Sequence, residues 1–187
     1  MRLAHHRATI LPPALAGADP HEFELDPSDG SAVVLERDGL RVTAFSVGPI
    51  GPAVSVGYRF DYRGRSIVVA GHSQGHPNVI KFAAGADILV HEAAHHEMLA
   101  YGIEVMDRIG QTRSASLARE TLAAYADPTQ AAETARAAAV GTLVLTRLTP
   151  SPNDFIMRQM FVGAAGSIFP DVVLGEDGMR LYLAPRP

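Results

Sequence analysis

The stretch that decides the fold is Thr142-Leu143-Val144-Leu145-Thr146-Arg147. Its short apolar run predicts a buried strand, because a buried helix needs a longer apolar segment. The strand ends on an arginine, whose guanidinium is a permanent cation that offers hydrogen-bond donors and no lone pair. The predicted strand thus ends on a fixed positive charge.

A helix is predicted just before this strand. Asp127-Pro128-Thr129-Gln130 supplies a side-chain acceptor at the N-cap, a proline at the first helical position and a glutamine at the third. The alanine-rich run to Ala139 continues the helix, and its small side chains favour close contact with a sheet. The alternation of strands and helices predicts an α/β fold.

The upstream residues supply further strands. A hairpin is predicted over residues 33–45, because Asp38-Gly39 is a strong turn signal between two apolar runs. The other predicted elements are strands at 54–62, 66–70 and 87–90, helices at 78–84, 114–124 and 153–161, and short strands near Val172 and Leu181. Residues 1–31, which are rich in proline, glycine and aspartate, are predicted to form an irregular leader.

The composition narrows the class of protein. The chain has 187 residues, a hydrophobic fraction of 47% and a net charge of −4, which fits one globular domain with no general attraction to nucleic acid or anionic membranes. It contains no cysteine, so thiolate metal sites and cysteine nucleophiles are excluded, and a cytoplasmic location is expected. No apolar stretch reaches the roughly 20 residues that span a bilayer.

Four segments in a fixed order resemble the metallo-β-lactamase fold superfamily, and within it the ribonuclease Z and arylsulfatase-like branch. They are residues 58–71 (YRFDYRGRSIVVAG), 85–93 (GADILVHEA), 130–132 (QAA) and 143–146 (LVLT), and the similarity covers residues 33–183. The resemblance implies an αββα sandwich in which two zinc ions lie between two sheets. Histidine and aspartate side chains hold such ions.

The metal ligands that the resemblance implies are replaced. The H-x-H-x-D-H signature of the family's N-terminal half is absent, and Pro49, His72, Tyr125 and Arg147 stand at the later ligand positions. A guanidinium in the place of a zinc ligand would repel a dication. The resemblance and its departures together imply a degenerate site. No cofactor is therefore expected, and zinc is the ion to consider if a metal binds.

The similarity also implies an incomplete sandwich. Residues 32–187 are predicted to form the C-terminal half of the domain, a mixed sheet with helices on one face. The other apolar face would be exposed, and burying apolar surface stabilises by about 25 cal/mol per Å². We expect this exposed face to pack against a second copy in a homodimer, or against a partner subunit that supplies the other sheet. Neither nucleic acid nor a membrane is expected as a partner.

Histidines concentrate between residues 72 and 96. His72, His76, His95 and His96 follow two predicted strand ends and are the candidate ligands of a rebuilt metal site, for which imidazole groups favour zinc. The alternative is that they are ordinary solvated loop residues. His91 matches a family position that is usually structural.

The candidate catalytic residues are His72, Arg147 and Tyr125. Arg147 could instead bind a small anion or pair with a nearby carboxylate, and Tyr125 could simply pack. The leading function is that of a non-catalytic pseudoenzyme, either an assembly or regulatory subunit or a binder of a small anionic ligand. The alternatives are a hydrolase remodelled around His72, His76 and Arg147, with one zinc ion, and a half-enzyme that needs a partner subunit.

Overall fold

The computed structural model describes residues 21–50 and 53–186. Within them, seven strands form one sheet in sequence order. The strands are β1 (Ser31–Arg37), β2 (Leu40–Ile50), β3 (Ala53–Tyr62), β4 (Arg65–Val69), β5 (Ile88–Ala94), β6 (Thr142–Thr149) and β7 (Val172–Leu174). The helices are α1 (Pro77–Ala83), α2 (His96–Arg108), α3 (Thr112–Ala124), α4 (Pro128–Ala137) and α5 (Phe155–Ile168). Strands β1 to β4 pair antiparallel and β4 to β7 pair parallel, so the predicted mixed α/β sheet is confirmed.

Local sequence signals set the turns and helix starts. Asp38 and Gly39 have φ angles of 52° and 79°, as a two-residue hairpin turn requires, and they join β1 to β2 as predicted. Asp127 caps α4 through a capping box with Gln130. Its carboxylate also accepts the His96 backbone N–H, at 3.1 Å, so one side chain caps both α2 and α4.

One face of the sheet is covered by α1, α4 and α5. Leu89, Leu143 and Leu145 are fully buried there, in one cluster with the alanines of α4 and with Phe161 of α5. The alanines lack bulk, so the helix approaches the strands closely, as the alanine-rich sequence predicted. This layer holds the main hydrophobic core of the described residues.

The opposite face of the sheet, here called the outer face, has no helix packed on it within the described residues. It carries a continuous apolar patch, which strand register assigns to Phe60, Ile67, Val69, Ile88, Val90 and Val144. The C-terminal segment, residues 179–186, crosses one end of this face. Arg186 pairs there with Asp87 at 2.8 Å.

The structure corrects three expectations. Helix α2 was not predicted, and His95 and His96 are its N-cap and first residue and do not belong to a loop. The expected strand near Leu181 is absent, because residues 179–186 have no regular structure. Helix α5 continues to Ile168, beyond the predicted end.

The leader falls partly outside the described residues. Residues 21–30 contain no helix or strand, β1 begins at Ser31, and residues 1–20 lie outside the described part. The division into a leader and a half domain stays a prediction. No helix in the described ranges has both the length and the apolar character needed to cross a bilayer.

Candidate functional site

Polar side chains gather where the parallel strands end, on β4, β5 and β6. His72 follows β4, Glu92 lies near the end of β5, and Arg147 lies near the end of β6. Tyr125 precedes α4 and packs beside them. In open α/β sheets, this end of the strands is the usual place for a ligand. The structure therefore brings together His72, Tyr125 and Arg147, the three residues that the sequence singled out for catalysis.

The centre of the site is a pair formed by His72 and Glu92. The His72 Nδ1 atom lies 2.7 and 2.8 Å from the two carboxylate oxygens of Glu92. Glu92 is only 2% exposed. With Glu92 ionised, the proton of a neutral His72 stays on Nδ1, because a carboxylate can only accept it. The Nε2 atom of His72 then remains available as a base or an acceptor.

Burial raises the pKa of Glu92, although the hydrogen bond and charge of His72, the charge of Arg147 and the Ser73 backbone N–H all act to lower it. Desolvation disfavours the charged form of a carboxyl group. The four favourable interactions, made by three residues, thus do not fully compensate the burial of this carboxylate.

Tyr125 separates His72 from Arg147 and contacts both. The His72 ring meets the Tyr125 ring edge-on, with centroids 4.5 Å apart. The Arg147 guanidinium lies 5.4 Å from the centre of the same ring, which permits a cation–π contact, and it donates a hydrogen bond to the Tyr125 hydroxyl. Tyr125 therefore both packs and positions Arg147.

Arg147 is exposed and has a positive φ of 50°. Among the residues that the structure describes, no carboxylate lies within salt-bridge distance of its guanidinium, whose one described hydrogen-bond partner is the Tyr125 hydroxyl. A guanidinium has five N–H donors, so most of them are free for a ligand. The structure thereby corrects one interpretation of Arg147, that its side chain pairs with a nearby carboxylate.

A second buried pair fixes the loop that carries His72. The Oγ atom of Ser73 lies 3.1 Å from the Nε2 atom of His91. The Nδ1 atom of His91 donates a hydrogen bond to the Glu92 backbone carbonyl, at 2.7 Å. His91 is completely buried, and burial lowers its pKa despite this hydrogen bond. The loop begins at Gly71, where any Cβ would lie 2.4 Å from the Val56 carbonyl oxygen. His91 thus has the contacts of a structural residue.

The other candidate metal ligands have separate surroundings. His76 caps α1 by accepting the Asn78 N–H at 3.2 Å. His96 donates to the Tyr125 carbonyl at 2.9 Å. His95 lies edge-on to Phe161, with ring centroids 5.5 Å apart. Its buried Nδ1 atom has no hydrogen-bond partner among the residues that the structure describes.

Residues 21–50 and 53–186 contain no group of three or more His, Cys, Asp or Glu side chains placed to hold a metal ion. The donor set at the implied zinc positions does not fit a zinc pair either. His72 has one nitrogen engaged by Glu92, and Arg147 brings a positive charge with no lone pair. The metal site at His72, His76, His95 and His96 stays a prediction.

Glu92 is the site residue that the sequence reasoning did not single out. It directly follows His91 in a segment that was interpreted as an apolar strand and a family signature. A carboxylate inside a buried strand is uncommon unless it is paired. That rarity was the signal available in the sequence.

Comparisons with known proteins show that this chain is similar in sequence to ribonuclease Z proteins. Ribonuclease Z of Mycobacterium avium (strain 104) is 33% identical over 184 residues, which is 97% of this chain and 58% of that protein. Ribonuclease Z of Mycobacterium tuberculosis (strain H37Rv) is 29% identical over 187 residues, 99% of this chain and 60% of its own length. No protein-family model matches the chain.

Solved structures show the same fold. A metallo-β-lactamase fold protein, YhfI from Bacillus subtilis, superposes with a TM-score of 0.55 at 18% identity, covering 78% of this chain and 50% of that one. The short form of human tRNase Z superposes with a TM-score of 0.53 at 24% identity. The superposition covers 83% of this chain and 46% of the human protein.

The mixed sheet and its helix layer thus define an α/β protein with the metallo-β-lactamase fold. The chain belongs to the metallo-β-lactamase fold superfamily, on the side of its ribonuclease Z relatives. It spans about 60% of the length of the ribonuclease Z sequences just described.

Proposed function

We propose that this chain is a non-catalytic member of the superfamily that binds a small anion at Arg147 and serves as an assembly or regulatory subunit. The observation that carries the proposal is the exposed guanidinium of Arg147, which has no salt bridge among the described residues. It stands where the resemblance implies a zinc ligand. The fixed positive charge there favours a carboxylate or a phosphate.

The surroundings of Arg147 support anion binding. The carboxylate of Glu92, whose pKa the charge of Arg147 acts to lower, is buried and hydrogen-bonded to His72. Tyr125 holds the guanidinium from one side, so little side-chain entropy remains to be lost when a ligand binds. Because Tyr125 already positions the Arg147 guanidinium and most of its N–H donors are unused, this group is suited to bind an anion.

Phosphate titration tests this proposal. Inorganic phosphate is added to the full chain, and binding is followed by backbone amide shifts in NMR spectra. We expect Arg147→Gln to weaken binding by about tenfold or more, since charge-assisted hydrogen bonds are worth roughly 1.5–3 kcal/mol. Arg113→Gln, on the surface of α3, is the matched control and should change affinity by less than about twofold. Equal affinities for the two variants would contradict the proposal.

The outer face supports the assembly role. Apolar side chains such as Val69, which is 36% exposed, lie on a sheet face without a helix layer in the described residues. We propose that the part of this face over β1 to β4 packs against a second copy of the chain or a partner subunit. Standard interfaces bury about 1,600 Å² in total, and the exposed apolar side chains of this face would contribute to such an interface.

Light scattering after gel filtration tests the homodimer. Val69→Glu should shift the chain towards monomer, because a charge would have to be buried in the interface. Leu117→Glu is the control, since Leu117 is 64% exposed on α3 and lies on a helix away from the sheet. If the parent chain is a stable monomer at low concentration and binds no partner, the assembly role is wrong.

A second candidate function is favoured by the His72–Glu92 pair. A carboxylate that fixes the proton of a histidine on Nδ1 leaves Nε2 to act as a general base, and Arg147 could hold an anionic substrate beside it. Hydrolysis of bis-p-nitrophenyl phosphate, with and without added zinc, separates the two functions. The leading proposal predicts equal background rates for the parent chain and for His72→Ala. Turnover that His72→Ala abolishes would favour a remodelled hydrolase. The cytoplasmic location stays a prediction.

A further inference from the structure

A cleft of about 630 Å³ opens on the outer face, next to Arg147. Its floor is made by Ile67 and Ile88, which are paired neighbours on β4 and β5, and by Val90 and Val144, which are paired on β5 and β6. Ile88 and Val144 are buried, while Ile67 and Val90 are half-buried. The floor is therefore an apolar surface that remains partly open to solvent.

The walls of the cleft add further apolar surface and a few charges. Met179 and Leu181 of the C-terminal segment close one side. Arg158 also lines the cleft, but its guanidinium is paired with Glu176, so these two charges compensate each other. Asp177 contributes one negative charge. Arg147 remains as the cation without a salt bridge among the described residues.

We propose that this cleft binds an amphipathic carboxylate whose charged end meets Arg147 and whose apolar chain lies on the floor of β4, β5 and β6. The inference rests on the anion-binding function proposed above and specifies the class of ligand. Volumes of about 300–1,000 Å³, mostly apolar walls and one or two placed polar groups are usual for small-molecule sites. The unused donors of Arg147 provide charge-assisted hydrogen bonds that a carboxylate accepts, and the floor selects a hydrocarbon chain.

The chain length of the ligand separates this inference from simple anion binding. Butyrate, hexanoate and octanoate carry the same charge and differ only in apolar length. Each CH₂ that is buried contributes about 0.8 kcal/mol at full burial. Affinity should therefore rise about two- to fourfold per added CH₂ if the hydrocarbon lies on the floor.

The experiment titrates the full chain with butyrate, hexanoate, octanoate, octylammonium and inorganic phosphate, followed by NMR. Two matched variants test the floor. Val90→Thr replaces a methyl by a hydroxyl inside the cleft, whereas Val105→Thr makes the same change at a half-buried valine of α2, which does not line the cleft. We expect Val90→Thr to weaken octanoate binding several-fold and Val105→Thr to leave it within about twofold.

The outcomes distinguish the two levels of the proposal. The inference is supported if octanoate affinity exceeds that of the shorter carboxylates and falls in Arg147→Gln. It also requires a larger loss of affinity in Val90→Thr than in Val105→Thr. Phosphate binding that depends on Arg147, together with equal affinities for the three carboxylates, overturns the inference and leaves anion binding intact. Equal binding of octylammonium and octanoate also overturns it. If neither phosphate nor any carboxylate depends on Arg147, both proposals fail.

Discussion

Two carboxylates are buried at opposite ends of β5, and they are held differently. Asp87 lies just before the strand and accepts the Ser66 backbone N–H at 2.8 Å and hydrogen bonds from Arg65 and Arg186, also at 2.8 Å. Burial alone would raise the pKa of Asp87, but these donors and charges outweigh it and hold that pKa below its ordinary value. Glu92, near the end of the strand, has a raised pKa because burial is not fully compensated there.

The comparison separates a structural cluster from a site. The cluster at Asp87 joins β4, β5 and the C-terminal segment, and its two arginines neutralise the carboxylate. At the other end, Arg147 is directed towards Tyr125 and Glu92 towards His72. A charge that is paired within the chain, such as that of Asp87, stabilises the fold. A charge without such a pair among the described residues, such as that of Arg147, is available to a ligand.

The largest expected effect is the loss of stability when Asp87 is replaced. Asp87→Ala leaves the Ser66 N–H and two guanidinium groups without their acceptor, and we expect the free energy of unfolding to fall by about 2–3 kcal/mol. Unfolding in urea measures this fall in the free energy of unfolding. Asp61→Ala is the control, because the Asp61 side chain is 39% exposed in its pair with Arg59, and it should cost less than about 1 kcal/mol. If both variants lose the same free energy of unfolding, Asp87 does not have the structural role assigned to it.

A smaller effect is expected at Glu92. Glu92→Gln keeps an acceptor for His72 and removes a buried charge, so the free energy of unfolding at neutral pH should change by less than about 1 kcal/mol. Phosphate affinity should rise about threefold, since a negative charge near Arg147 is lost. Unfolding and titration of the same sample measure both quantities. A loss of more than about 3 kcal/mol would instead make Glu92 a structural residue like Asp87.

The smallest effect is the pH dependence of stability, and its sign differs between the two carboxylates. The pKa of Asp87 is lowered, so its contribution is present above the ordinary value of 3.8 and is lost as pH falls through the folded-state pKa. The pKa of Glu92 is raised, so its contribution is full below the ordinary value of 4.5 and is lost as pH rises through the folded-state pKa.

Unfolding of the parent chain, Asp87→Asn and Glu92→Gln between about pH 3 and pH 7 checks these signs. The stability difference between the parent and Asp87→Asn should grow with rising pH. The free energy of unfolding of the parent relative to Glu92→Gln should fall with rising pH. The same slope for both variants would show that the two carboxylates are held alike.

Local patterns in the sequence predicted much of the fold. The Asp38-Gly39 hairpin and the capped, alanine-rich α4 follow from residues close in sequence, and both were confirmed. Helix α2 was missed because its first turn contains His95 and His96, which resemble loop residues when their tertiary contacts are unknown. The hydrogen bond that the His96 backbone N–H donates to the Asp127 carboxylate spans 31 residues, so no local signal shows it.

The site was predicted in part. His72, Tyr125 and Arg147 were chosen because they replace ligands of a related family, and the structure places them side by side. The partner of His72 lies 20 residues away on another strand, and only the parallel pairing of β4 with β5 brings the two together. The surroundings of His76, His95 and His96 likewise depend on how the helices pack, which a single sequence does not reveal.

The central claim is that a fixed positive charge and an anion site have replaced the zinc site of the superfamily. The most direct test is the metal content of the full chain, purified without chelators and dialysed against zinc-buffered solution, by inductively coupled plasma mass spectrometry. We predict less than about a tenth of an equivalent of zinc per chain, because the donor set lacks a complete ligand group. Close to two equivalents of tightly bound zinc would contradict the account.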